Sequence, residues 1–577
     1  MTRKLLPLFC VIAIARIAAA QSELGPEDIL GHDIELTVQQ AIALGLQYNL
    51  NLQIVRNDPA EARERIREAI GAYDPLVSGN FALNHNETPI TSQLQALFGV
   101  TGDRTVDNSK NYGAGLSGIL PYGFSYSSGY TFQNLNTNNG LIALAPQYTA
   151  SWISAFTIPL LRDLYWNTPD YLVRRSKIDL QISDETFRSE LQDGVFLVET
   201  SYWSLAAARA LEVATRQAVD TANDLLEQTK VQYQVGTVSK VLVTQAEANL
   251  AQRESEHIVA VNNVGRAQDT LLTAILAPNI GDYSTTTVRT EDPTFVDYPV
   301  DASEAVEKAR ANRPELAAAQ AQVAEADITE KWAWNQKLPS LNVGATYAMN
   351  GVSGPQKIPA GSTVLLAPGV PQPSLILDPN PLYGTTFNPG AGPLGKGTYT
   401  TPTFDVATEP NFGFGTSPGD AHDGFFSGDG FHNWAFTAVF SYPLGNDTAD
   451  ARWVERKIEL RRAKTSLAHE EQDVVLSVRT AVRELQSSID AVKAAQRARI
   501  ASEETLRAEQ ERLRLGDSTP HNVQQFQTDF LTAQGNEITA LQVYRTAISA
   551  LERAQGTLLE ARGISVENER ERGMDRF

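Results

Sequence analysis

Two ungapped alignments of the sequence with itself restrict this chain more than any other feature. Residues 41–82 match 305–346 at a shift of 264. Ala41 meets Ala305, Leu52 meets Leu316, Ala60-Glu61-Ala62 meets Ala324-Glu325-Ala326, and Pro75 meets Pro339. Residues 177–245 match 457–525 at a shift of 280, which sets Lys177-Ile178 on Lys457-Ile458, Leu226 on Leu506, Gly236 on Gly516 and Gln245 on Gln525. Two blocks in the same order mark an internal duplication, and the period is too long for a solenoid. Each half therefore has to fold in the same way.

The halves read as 21–290 and 291–562, after a segment 1–20 and before a charged tail 563–577. Each opens with a helix, 36–73 or 301–336, stopped by Pro75 or Pro339. Proline lacks the amide donor and disfavours helix in the residue before it. Alternating strands follow, within 76–158 in the first half and at 339–349 and 433–443 in the second, closed by Pro159 or Pro443. A long helix comes next, 167–233 or 447–513, then a tight turn with Gly236 or Gly516, then a return helix, 239–276 or 521–562. Glycine suits the left-handed position just past a helix end.

The strands carry two different faces. In FHNWAFTAVFSYPLGN (431–446), Trp434, Phe436, Ala438, Phe440 and Tyr442 alternate with Ala435, Thr437, Val439 and Ser441. Leu341, Val343, Ala345, Tyr347 and Met349 alternate with Asn342, Gly344 and Thr346, and Tyr148, Trp152, Phe156 and Ile158 with Thr149, Ser151 and Thr157. An apolar face and a small polar face fit a membrane barrel with lipid outside and water inside. A soluble sandwich alternates identically, but so few strands cannot form a core of their own. On the membrane reading, Pro75, Pro159, Pro339 and Pro443 mark the places where a membrane strand meets a water-soluble helix.

Composition narrows the options further. The start, MTRKLLPLFCVIAIARIAAAQ, has a basic segment, an apolar run and the small residues Ala18-Ala19-Ala20, as a secretory signal does. Beyond it no run of eighteen apolar residues exists, so a membrane role requires a closed barrel. Cys10 is the only cysteine, which leaves no disulfide or thiolate metal site after signal removal. A net charge of −20 argues against a nucleic-acid partner. It also suggests a lumen more permissive to cations.

The long helices have a seam. Val478, Leu485, Val492, Leu506 and Leu513 are separated by multiples of seven, beside Ala481, Ser488, Ala495 and Ser502, and Arg499 interrupts the series. That is coiled-coil periodicity with small residues for close approach.

These segments together resemble the outer-membrane efflux protein family, the TolC-like channels. LTVQQAIALGLQYNLNLQ (36–53) and its echo at 302–326 carry the resemblance, with FTIPLLRD (156–163), YQVGTVSKVLVTQAEANLAQ (233–252) and its echo LRLGDSTPHNVQQFQTDFLTAQ (513–534). No one motif is specific; their order is. The resemblance implies an α+β membrane protein: a homotrimer with a β-barrel in the outer-membrane lipid, continued by an α-helical barrel in the periplasm. It implies a passive, non-enzymatic exit duct without cofactors, serving tripartite efflux or type I secretion with a periplasmic adaptor and an inner-membrane pump or transporter. Four to six strands per chain cannot close a barrel alone, so oligomerisation is also a physical requirement.

By position, the resemblance makes the hairpin tips Val235, Gly236, Thr237, Val238 and Ser239, and Leu515, Gly516, Asp517, Ser518 and Thr519, the adaptor contacts. Where related channels place acidic residues past the tip, this chain has Asn522 and Gln525. A pore constriction there would be polar and uncharged. Residues 350–432 read as an extracellular loop. NYGAGLSGILPYGFSYSSGYTF (111–132) reads as an extra hairpin; within the wall it gives six strands per chain and eighteen per trimer, and outside it four and twelve.

Other chemistry is thinly supported. Asp420, His422, Asp423, Asp429 and His432 lie close in sequence but match no metal-binding spacing, and read as a solvated loop. No nucleophile–base motif supports a hydrolase on that loop. The alternative to a duct is a periplasmic coiled-coil scaffold or adaptor that never enters a membrane, which the aromatic strand faces oppose.

Overall fold

The computed structural model describes residues 33–91, 103–139, 142–275, 286–355, 414–427 and 430–574. The expected signal, 1–20, and residues 356–413 of the expected loop lie outside the described residues. The chain divides into two compact units. One comprises Met1–Ala69, Val173–Glu330 and Val454–Phe577; the other comprises Ile70–Leu172 and Lys331–Trp453.

The first unit is helical. Strand β1 (Asp33–Leu36) leads to α1 (Val38–Tyr48), α2 (Leu50–Val55) and α3 (Asn57–Gly71). β1 pairs in parallel with β6 (Thr287–Thr290), which precedes α6 (Ala302–Asn312) and α7 (Pro314–Gln336). The single helices expected at 36–73 and 301–336 are thus broken, at Asn49 and Arg313, positions related by the shift of 264. Both residues are extended, with ψ near 120°. Pro314 forces this on Arg313. Asn49 reaches it by capping α2, its side chain accepting from the amides of Asn51 and Leu52.

The long helices are α4 (Thr168–Gln234) and α9 (Asp447–Arg514), with return helices α5 (Lys240–Ile275) and α10 (Pro520–Ala554). At 67 and 68 residues, α4 and α9 each extend about 100 Å. The duplication is visible in their packing: Val198 and Val478 are buried, as are Leu205 and Leu485, each pair related by the shift of 280. Leu506 and Leu513 are only half-buried. Arg499, which breaks the apolar series, ion-pairs with Glu503 on its own helix and with Glu537 on α10.

The return helix expected over 521–562 stops sooner. Gly556 has φ +73°, and a Cβ there would fall 2.7 Å from the Asn312 carbonyl oxygen. Two short helices follow, α11 (Leu558–Ala561) and α12 (Val566–Met574). Much of the charged tail is therefore helix, docked through a buried Arg56–Glu569 ion pair and an Arg570–Asp184 pair of 3.3 Å.

The second unit is built, among the described residues, on one antiparallel sheet of six strands. They are β2 (Leu76–Pro89), β3 (Arg104–Ile119), β4 (Ser125–Thr137), β5 (Gln147–Pro159), β7 (Ser340–Ser353) and β8 (Phe431–Ser441), in that spatial order. The extra hairpin β3–β4 is paired along its length on both sides. Between β7 and β8, residues expected as loop include a helix, α8 (Pro418–Phe426), started by a Ser417–Asp420 capping box.

Candidate functional site

The strand register sorts the sheet into two chemically distinct faces. Directly paired residues share a face, so one line across the sheet can be read from each pairing. Phe81 pairs with Tyr112 and Tyr112 with Phe132; Tyr130 pairs with Trp152 and Trp152 with Met349; Phe156 pairs with Ala345, which pairs with Phe436. Most of the large side chains on this face are solvent-exposed in the single chain, among them Phe81, Leu83, Tyr112, Leu116, Trp152, Phe156, Tyr347, Trp434, Phe436 and Phe440. The rings form a band, with Phe81–Tyr112 at 5.1 Å and Tyr112–Phe132 and Phe132–Tyr148 at 6.3 Å.

The opposite face is small and polar. Ser78, Gly115, Gly129, Ile153, Ala348 and Asn433 form one line across it; Asn80, Gly113, Thr131, Ser151, Asn350 and Phe431 form another. Leu76, Ile119, Leu135, Ile153 and Phe431 are its larger apolar exceptions. Asp107, near the far end and accepting from Thr137, is the ionisable residue that the register sets on this face. The acidity of the chain is therefore not written on this wall, and a cation preference would have to come from elsewhere.

A continuous face of unburied aromatics marks a surface that meets lipid or another protein. A face of glycine, serine and threonine tolerates water. α8 covers part of the aromatic face: His422 stacks on Phe132 at 5.1 Å and its Nδ1 lies 2.7 Å from the Tyr130 hydroxyl, while Phe425 sits 6.3 Å from Trp152. The carboxylate–histidine group expected as solvated loop is thus partly structural. Asp420 caps α8, His422 packs on the sheet, and His432 lies 2.9 Å from the Tyr347 hydroxyl. Asp429 lies outside the described residues.

All four prolines flank strands. Pro75 and Pro339 immediately precede β2 and β7, Pro159 ends β5, and Pro443 stands two residues after β8. The chain then turns through left-handed residues: Asp163 (φ +71°) and Tyr165 (+60°) after Pro159, and Gly445 (+92°) and Asn446 (+53°) after Pro443. The second repeat helix holds both turns. Asn335 Oδ1 accepts from the Asp163 amide at 2.8 Å and Gln336 Nε2 donates to its carboxylate at 2.7 Å. Asn446 Nδ2 donates to the Lys337 carbonyl, and Lys337 Nζ lies 2.7 Å from Asp450 and 4.0 Å from the Trp453 ring centre.

At the other end of the long helices the two turns are copies of one motif. After α4, the Thr237 amide donates to the Gln232 carbonyl and the Gly236 amide to Tyr233; after α9, the Asp517 amide donates to Arg512 and the Gly516 amide to Leu513. These are Schellman closures, with Gly236 at φ +82° and Gly516 at +80°. Val235 and Leu515, equivalent positions, are 70% and 73% exposed. Val238 lies between the turn and Ser239, whose carbonyl accepts from Leu242; Thr519 caps α10 through the Asn522 amide, with Pro520 in the first turn. Asn522 and Gln525 are exposed on that turn, where Asn522 Nδ2 reaches Ser518 Oγ at 3.5 Å and Gln525 donates to Asp529.

Two tip residues escaped sequence reasoning. Glu509 is buried, accepting from Ser518 and, at 3.0 Å, from Arg512, which also binds Asp517. Arg253 on α5 is buried, donates to Thr528 on α10 and pairs with Glu256. Glu509 stands between Leu506 and Leu513, three and four residues away, and that seam position was the available signal.

The outer membrane efflux protein family model matches residues 148–275 and 408–557, once in each half. The first match ends with the return helix α5, and the second runs through α10 to residue 557. The chain belongs to the outer membrane efflux protein family. Solved channels of the same fold include the Campylobacter jejuni CmeC outer membrane channel, at 14% identity over 93% of this chain and 89% of that one, with a TM-score of 0.61. VceC from Vibrio cholerae is similar at 13% identity, 90% and 96% coverage and 0.56. The open state of Neisseria gonorrhoeae MtrE is similar at 16%, 90% and 89%, and 0.53. At such identities these likenesses speak to the fold. No curated protein sequence matches the chain. Family membership places this efflux protein in the outer membrane with a periplasmic helical part.

Proposed function

We propose that the protein is the outer-membrane exit duct of a tripartite efflux or type I secretion system, working as a homotrimer that carries cargo passively from periplasm to exterior. The observation that carries this reading is the sheet: an exposed aromatic face across all six strands, backed by a small, polar, almost uncharged face, in a chain of the efflux family. Lipid satisfies the first face and a water-filled lumen the second. An open sheet cannot span a bilayer because its edge groups would be unsatisfied, so several copies have to close it. The scaffold alternative leaves that aromatic face in water.

The two hairpin tips are the adaptor-contact candidates. Val235 and Leu515 present apolar side chains to solvent from rigid Schellman turns, as a docking surface requires. Asn522 and Gln525 beside them make any constriction formed there by three copies polar and neutral. The inner-membrane pump or transporter supplies the energy, and the family fold is that of channels.

The test is the mass and location of the native protein. Extraction from a purified outer-membrane fraction as a detergent-stable trimer is the expected result. Recovery as a soluble periplasmic monomer or dimer would remove the duct and return the scaffold.

A further inference from the structure

The sheet carries information about the wall that the duct reading, on which this inference rests, leaves open. Among the described residues the two halves of the chain do not contribute equally: the first supplies four strands, β2 to β5, and the second two, β7 and β8. The surplus is the β3–β4 hairpin. Three observations put it inside the wall. It is paired continuously with β2 on one side and β5 on the other. Its aromatic residues, Tyr112, Tyr130 and Phe132, fall on the apolar face and its Gly113, Gly115, Ser127 and Gly129 on the polar one, in step with both neighbours. Its turn, Pro121–Gly123, is seated on the junction that follows β5: a Cβ on Gly123 would fall 2.8 Å from the Pro159 ring, and Tyr122 packs edge-on against Tyr165 at 4.9 Å.

The edges of the sheet are β2 and β8. Six strands is an even number, so β8 of one copy runs antiparallel to β2 of the next, and the two match in polarity. Their register follows from the drift of the ladder. Read sideways from Leu76, the pairing leads through Ser117, Ser127, Ala155 and Thr346 to Ala435, six residues short of the β8 end at Ser441. If the seam adds either no further drift or the two-residue step seen where β2 meets β3, β4 meets β5 and β5 meets β7, the drift per copy is about six to eight residues. At about 3.3 Å per residue and about 4.8 Å between strands, that gives a strand tilt of roughly 35–43°. Closed membrane barrels need about 35–45°.

We propose that β2 of one copy pairs with β8 of the next, Leu76 meeting Ser441 or the position two residues beyond, and that three copies close an eighteen-strand barrel. At a tilt near 40° its backbone diameter is about 36 Å, against about 24 Å for the twelve strands left if β3–β4 stood outside. An eighteen-strand wall of that size keeps an aqueous channel. With its small and nearly uncharged lumen face, the outlet sieves neither small solutes nor an extended or helical polypeptide by size or charge. Cargo selection then lies before the outlet.

Electron cryomicroscopy of the wild-type trimer in detergent counts the strands without any variant. Eighteen strands with β3–β4 in the wall is the expected result; twelve, with the hairpin outside, overturns the proposal and leaves the duct intact. The seam is tested by pairing Asn80→Cys with Thr437→Cys, and separately with Val439→Cys. Oxidation should link one of these pairs between copies into covalent trimers. Trimers in which neither pair links overturn the register. A protein that yields no trimer from the outer membrane overturns the duct reading itself, and this proposal with it.

Discussion

Arg499 Nε lies 2.5 Å from the Glu537 carboxylate, joining the long helix of the second hairpin to its return helix at the one place where an apolar seam residue is missing. Glu537 is only 15% exposed, so removal of Arg499 leaves a nearly buried charge. Arg499→Ala should cost about 1–2 kcal/mol, discounted for the partial exposure of the pair. The double change Arg499→Leu with Glu537→Leu should recover most of it, because a filled seam needs no counter-charge. Thermal unfolding of the purified trimer reads both; a double variant no better than the single one would refute the seam argument.

Neighbouring residues of β8 test the two faces of the sheet. Phe436 is on the aromatic face and Thr437 on the polar one. Phe436→Lys places a charge in lipid and should cost about 2–4 kcal/mol if the site is near mid-membrane. Thr437→Lys faces water and should insert normally, shifting ion selectivity toward anions. Outer-membrane yield and reversal potential separate the two. Equal tolerance would mean that neither face meets lipid.

The Schellman turns give a graded series. Nothing lies within 4 Å of a Cβ built on Gly516, so its constraint is φ +80° alone. Gly516→Ala should loosen the turn by about 1–2 kcal/mol, and Gly516→Asn by less, since asparagine tolerates that conformation. Hydrogen exchange at the Asp517 amide, bonded to the Arg512 carbonyl, should speed up in the order Asn, then Ala.

Docking at the tips has its own test. Val235→Asp combined with Leu515→Asp should abolish adaptor capture and export while leaving the trimer in the membrane. Both side chains are largely exposed. Undiminished export would move the adaptor contact elsewhere.

A buried acid predicts a pH dependence. Glu199 is almost wholly buried and holds Arg562 and Ser549. Burial pushes the Glu552 carboxyl up, against the pull of Arg562, whose Nη2 sits 2.9 Å away as an ion pair without hydrogen-bond geometry. A raised carboxyl binds its proton more tightly folded than unfolded. Its contribution to stability is therefore present at low pH and falls as pH rises through the raised value. Glu552→Gln lacks that slope, so its melting temperature should gain on the parent as pH increases from 4.5 to 8. A constant difference would show that Glu552 titrates normally.

The sequence by itself determined what is local or periodic. Proline forbids helix at Pro75 and Pro339, alternation by twos fixes which strand residues share a face, and Gly236 and Gly516 supply the left-handed step after a helix. The duplication showed that these signals recur as a unit. Together they led to the efflux fold and the outer membrane, because each depends on backbone geometry over a few residues. Tertiary structure decided what depends on residues far apart in the chain. The Asn49 break depends on a side chain capping the next turn, which an uninterrupted apolar pattern hides. Glu509 is buried because Ser518 and Arg512 close over it, and Arg499 is accommodated because Glu537 stands opposite. The β3–β4 hairpin belongs to the wall because its register matches β2 and β5 at once, a relation between strands that no single segment contains.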